Sequence, residues 1–135
     1  EPKVALLSHS NFGSHDTPSA RKMRAVRELL KQRMPKLEMD GEMQGDTAWD
    51  EVLRKRMMPH TTLSGRANLF VLPNIDAANI TYNMVRVMTD GVAIGPILMG
   101  ISKPVHILTS SATPRRVVNM TAIAAVDAQI RAQQK

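Results

Sequence analysis

Residues 67–100 run from a short apolar segment, LFVL at 69–72, through Pro73, Asn74 and Asp76 into a helical pattern, and on to a second apolar segment at 92–99. An apolar run too short for a helix, then cap chemistry, then a 3.6-residue period is the pattern of a strand–helix–strand unit. Such units build parallel sheets covered on both faces. The opening of the chain has the same form. Lys3–Leu7 reads as a buried strand and residues 8–16 as a polar, Gly-containing loop, with Thr17 as N-cap and Pro18 in the first helical position. Met23, Val26, Leu30 and Met34 fall on one helical face, and Pro35 ends the run. Residues 37–43 alternate apolar and acidic side chains, as a half-buried strand does. Asp46 is placed to cap a helix with Trp49, Val52, Leu53 and Met57 along one face. Asp76 is placed to cap another, with Ala77, Ile80, Met84 and Met88 inward and Gly91 past its end. Residues 92–99 and 105–108 read as further strands, and Thr113-Pro114 opens a last helix reaching about Gln133. The expected fold class is α/β, a three-layer αβα arrangement with a mostly parallel sheet.

The 135 residues make one domain's worth of chain. No apolar run approaches the roughly 18 residues of a membrane span, and the start is not signal-like. The absence of cysteine excludes disulfides and thiolate metal sites and fits a cytoplasmic location. Ten methionines read as adaptable core filling. The net charge of +6 is laid down in blocks. Residues 16–36 hold seven Lys/Arg against two acids, residues 38–51 six acids and no base, residues 54–66 four bases and no acid. Such blocks form solvated faces that pair across elements or subunits. With one Trp, one Tyr and two Phe, stacking groups are scarce, and neither nucleic acid nor membrane is expected as a partner.

Three places carry candidate chemistry. The loop SHSNFGSHD follows a strand and precedes a helix, so its backbone N–H groups, the Ser8, Ser10 and Ser14 hydroxyls and the freedom of Gly13 suit an anion. Alone this is a weak signal, and an ordinary capped turn is the favoured account. His9 and His15 stand six apart with no third ligand at useful spacing, so no metal site is expected. Asn74, Asp76 and Asn79 lie at the carboxyl end of a strand, where open α/β sheets bind ligands, although Asp76 is more simply a cap. Arg115 and Arg116 stand in the first turn of the last helix, where they either attract an anion or are merely solvated. No Ser occupies a GxSxG elbow, and no His has a clear acidic partner, so a catalytic triad is set aside.

The words LPNIDAANITY, AIGPILMG and ISKPVHILT resemble the C-terminal half of the phosphate acetyl/butyryltransferases, which have an isocitrate/isopropylmalate dehydrogenase-like fold. Taken with the opening VALLSHSNFGS and the later VVNMTAIAAVDAQ, nearly the whole chain is similar to the phosphotransacetylase-like tail of bacterial NADP-dependent malic enzymes. The resemblance implies a segment of a longer polypeptide. About residues 1–100 would belong to a substrate lobe, and about 101–135 would supply a closing strand and helix that pack on an earlier lobe. It also puts Asn74 and Asn79 beside the substrate cleft.

In active transacetylases the strand matching residues 105–108 is followed by Ser-Arg-Gly, with an Asp seven residues beyond that Ser. The Asp is taken as the base for the coenzyme A thiol, and the Arg and Ser as handling phosphate and the tetrahedral intermediate. Here those positions read Thr109, Ser110, Ser111 and Arg116. Ser110 lacks the guanidinium fork, and Arg116 accepts no proton at ordinary pH. Loss of a general base alone costs about 10²–10⁴ in rate. No catalytic residue is therefore expected in this segment.

The resemblance implies a parent chain that oxidatively decarboxylates malate to pyruvate with NADP and a divalent metal, Mg or Mn, in an upstream domain. This segment would bind acetyl-CoA as an allosteric effector, with Ser10, Gly13, Ser14, Asn74, Asn79, Thr109, Ser110, Arg115 and Arg116 as its candidate contacts. Its partners would be the upstream malic enzyme domain and further copies of itself in a homo-oligomer. Two alternatives stand beside this. One is a working phosphate acetyltransferase with Asp40 or Glu42 of MDGEMQ as a rearranged base, and the other a ligand-free assembly domain.

Overall fold

The computed structural model describes residues 1–89 and 91–133. The chain forms two compact units, Glu1–Val85 and Arg86–Lys135. In the first, three parallel strands, β1 (Lys3–Leu7), β2 (Glu38–Met43) and β3 (Leu69–Val71), stand in the order β2-β1-β3. The α/β class is as the sequence predicts. Val4 pairs with Met39 on one side and Leu69 on the other, and the register with β2 shifts between Leu6 and Leu7.

Side chains alternate across β1, so its two faces feed two cores. Val4 and Leu6 join Met23 and Met39 beneath α1 (Pro18–Arg33), with Val26 and Leu30 packed against them. Ala5 joins Met43, Ala48, Leu63 and Ala67 on the opposite face, with Leu7, Phe12 and Phe70 alongside. The sheet is thus the middle layer. Burying a side chain such as Leu6 contributes about 1.5–3 kcal/mol. Helix α1 begins as expected, with Pro18 in its first turn and Thr17 Oγ1 accepting the Ala20 N–H at 3.5 Å.

The second helical run is broken. Asp50 ends α2 (Gly45–Trp49) and caps α3 (Glu51–Met57), its carboxylate accepting the N–H groups of Val52 and Leu53 at 2.8 and 3.1 Å. A capping carboxylate in mid-run starts a new helix instead of continuing the old one. The expected single apolar face is lost, and Trp49, Val52 and Met57 are exposed. Trp49 instead stacks on Phe70, with ring centroids 6.5 Å apart, and carries the Arg66 guanidinium 5.0 Å above it.

The last helix of this series, α4 (Ile75–Met88), is capped by Asn74, whose Oδ1 accepts the Ala77 N–H at 2.8 Å; Asp76 sits in its first turn. Ile80, Met84 and Met88, expected inward, are exposed, and the helix has no buried residue. In the second unit, α5 (Pro114–Gln133) follows the Thr113 cap. Residues 92–99 and 105–108 join no ladder among the described residues, contrary to the two strands expected. Gly95 has φ +129°, and Pro96 and Pro104 bring no N–H to a ladder. Two arginines of α5 hold this segment instead, Arg116 at the Gly95 carbonyl and Arg131 at the Ile101 carbonyl.

Candidate functional site

The acidic positions of β2 are not half-exposed. Asp40 and Glu42 are both fully buried, and each takes one arginine of α1. Arg27 Nε meets Asp40 Oδ1 at 3.0 Å, and Asp40 Oδ2 accepts the Thr61 hydroxyl and the Thr62 N–H at 2.7 and 2.9 Å. Arg24 Nη1 reaches Glu42 Oε1 at 2.9 Å. The acidic and basic blocks of the sequence therefore meet within this unit. Neither carboxylate is presented to solvent as a base.

Glu42 also decides what the SHSNFGSHD loop can hold. Its Oε1 accepts the Ser10 hydroxyl at 2.7 Å and the Gly13 N–H at 2.8 Å. Burial pushes this carboxyl up, but the Ser10 hydroxyl, the Gly13 N–H, its own N–H and Arg24 outweigh that and hold it below the ordinary glutamate value. The loop is an anion cradle, as its residues suggest, and the anion in it is a side chain of the same chain. Ser14 is exposed, and its Oγ is engaged within the loop, accepting the Asn11 N–H at 3.0 Å. Glu42 Oε2, also buried, has no hydrogen-bond partner.

A space open to a ligand lies next to this loop. The order β2-β1-β3 sets β2 and β3 on opposite sides of β1, and the crevice at such a reversal of strand order is where open α/β sheets take ligands. A cavity of about 380 Å³ occupies it, between Leu7, Ser8 and His9 after β1 and Leu72, Pro73 and Asn74 after β3. Ser19 and Ala77 from the first turns of α1 and α4, with Gly45 and Thr81, complete the lining. Apolar walls with a few hydroxyl, amide and imidazole groups suit a small organic ligand. No carboxylate lines the cavity among the described residues, and two long helices begin at it, which favours negative charge. Asn74 and the Ser8 of the loop are the candidates from the sequence found here. Asn79 lies outside, its Oδ1 accepting from Asn83 Nδ2 at 3.2 Å. His9, Ser19 and Thr81 were missed, and the signal for them was the strand order rather than any motif.

The remaining candidates lie in the second unit. Arg116 donates from Nε and Nη2 to the Gly95 carbonyl at 2.9 and 2.6 Å. Thr109 and Ser111 hydroxyls are 2.9 Å apart, while Ser110 and Arg115 are exposed. Among the described residues no cluster of three His, Asp or Glu side chains is arranged to hold a metal, and no helix is long and apolar enough to cross a membrane.

The model of the family described as phosphate acetyl/butaryl transferase matches residues 1–125. The chain belongs to this family. It is 56% identical over 130 residues to a protein named NADP-dependent malic enzyme from Escherichia coli, covering 96% of this chain but 17% of that one. It is 57% identical over 126 residues to one named NAD-dependent malic enzyme from Rhizobium meliloti, covering 93% and 16%. The phosphotransacetylase crystal structure from Streptococcus pyogenes superimposes with a TM-score of 0.88 at 35% identity, covering 94% of this chain and 39% of that one. The chain thus spans about a sixth of the malic enzymes it matches.

Proposed function

We propose that this chain is the phosphotransacetylase-like region of a malic enzyme and binds acetyl-CoA as an allosteric inhibitor without turning it over. The remainder of the polypeptide oxidatively decarboxylates malate to pyruvate, with a divalent metal (Mg or Mn) and NADP, the nucleotide in the name of the E. coli relative. The setting is cytoplasmic, in keeping with a chain free of cysteine. The observation that carries the inactive half of this reading is Arg116. It stands where the resemblance implies the thiol's base, and its guanidinium is committed to the Gly95 carbonyl. A permanently protonated, engaged side chain takes no proton from a thiol. The open crevice between β1 and β3, free of carboxylates, supports the ligand-binding half.

Coupling between such a site and the malate site is worth about 1–3 kcal/mol, or roughly 5- to 150-fold in affinity. The test is malate turnover by the complete polypeptide as acetyl-CoA is raised. Falling activity with a saturable midpoint is expected; turnover indifferent to acetyl-CoA overturns the effector role. A second reading, assembly into a homo-oligomer, is favoured by α4, which leaves Ile80, Met84, Val87 and Met88 exposed. Deleting this region should then lower the subunit count seen by light scattering, whatever acetyl-CoA does.

A further inference from the structure

We propose that His9 is a binding residue of the β1/β3 crevice, contacting the phosphate-bearing part of the ligand as an imidazolium, so that affinity rises on acidification. This rests on the reading that the crevice takes an anionic ester. The backbone of His9 is pinned, its carbonyl accepting from Gln44 Nε2 at 2.8 Å. Its ring is not: Nε2 lies a long 3.4 Å from Thr17 Oγ1, the one side-chain hydrogen bond it makes. His9 lines the cavity, where it is the sole titratable residue among the described lining, and its ring has capacity to bond a ligand.

The charged neighbours on each side are otherwise engaged. From its own loop, His15 stands 5.4 Å away, ring to ring, bonded to Ser14 Oγ, while both Asp16 oxygens are held by Arg21 and Arg24. From α1, Lys22 donates to the Pro73 carbonyl at the crevice lip. From β2, Glu42 is closed off by Ser10, Gly13 and Arg24. No carboxylate in the crevice competes with a ligand for a protonated His9. Imidazole is the side chain whose charge changes between about pH 5 and 8.

The test is calorimetric titration of the complete polypeptide with acetyl-CoA, and separately with inorganic phosphate, at pH 6 and 8. Running each in two buffers of different ionisation heat reads the protons taken up on binding. Acetyl-CoA should bind several-fold more tightly at pH 6 than at pH 8, with proton uptake, as protonation linked to binding requires. His9→Gln should lose the part of the pH dependence and uptake that exceeds the titration of the probe's own phosphate, and His15→Gln should retain it. Wild-type affinity and proton uptake in His9→Gln overturn the proposal. If acetyl-CoA gives no heat with the wild type, the effector reading falls and the phosphate titration decides His9 by the same criteria. No binding of either probe overturns both.

Discussion

Ser10 donates its hydroxyl to Glu42 Oε1 across 2.7 Å, with both side chains fully buried. This bond ties the loop after β1 to the neighbouring strand, and Gly13 N–H and Arg24 close on the same oxygen. Removing Glu42 leaves buried donors and a half-buried guanidinium without their acceptor. Glu42→Ala should cost about 3–5 kcal/mol, measured by urea unfolding, whereas Glu28→Ala on exposed α1 should cost under about 1 kcal/mol.

The pH dependence has a definite sign. Glu42, Glu38 and Glu51 all titrate below the ordinary glutamate value. For Glu38 the Ser64 hydroxyl is the main cause, and for Glu51 the Lys55 ammonium. Groups depressed in the folded state contribute stability that is complete above their unfolded pKa and is lost as pH falls through the folded one. The melting temperature should therefore be flat above about pH 5 and fall below about pH 4.5 on account of these groups. Glu42→Gln should start from a lower plateau and fall less steeply, which scanning calorimetry from pH 3 to 7 will read.

Gly41 should be intolerant of any side chain. Its φ is +146°, and an added Cβ would stand 2.5 Å from the Leu6 carbonyl oxygen and 2.8 Å from Leu6 Cβ, on the neighbouring central strand β1. Backbone cannot give way there as a surface side chain would. Gly41→Ala should destabilise by about 3 kcal/mol or more, with loss of soluble protein at 37 °C, while Gly45→Ala, whose Cβ meets nothing within 4 Å, should be tolerated.

Arg54 is a fully buried cation held by carbonyls instead of a carboxylate. Its guanidinium donates to the carbonyls of Thr47, Ala48, Leu63 and Gly65, joining α2 to the segment that leads into β3. Lysine has the charge but not the fork. Arg54→Lys should cost about 2–3 kcal/mol, nearly as much as Arg54→Met, and the loss should appear as faster amide exchange at Leu63 and Gly65.

The first strand, the Thr17-Pro18 start of α1 and the Thr113-Pro114 start of α5 were legible because cap chemistry is local. So was the α/β class, since short apolar runs alternating with capped helices leave few other solutions. What escaped was decided by partners distant in sequence. Asp40 and Glu42 read as solvent-facing because acids usually are, but α1 brings two arginines to them. Asn74 displaced Asp76 as a cap because its side chain reached Ala77 N–H first. Residues 92–99 have strand-like composition, yet Pro96 and the positive φ of Gly95 deny them a ladder. In the site, hydroxyl-rich SHSNFGSHD pointed to an anion but could not disclose that Glu42 supplies it. His9, Ser19 and Thr81 meet only because β3 lies beside β1 and not beside β2.

The most direct test of the account is to follow acetyl-CoA and inorganic phosphate with the complete polypeptide by phosphorus NMR, while measuring acetyl-CoA binding by calorimetry on the same sample. Saturable binding with no acetyl phosphate formed is the predicted result, in the wild type and in Arg116→Asp alike, since Ser110 still lacks the anion clamp. Acetyl phosphate accumulating with the wild-type protein would contradict it.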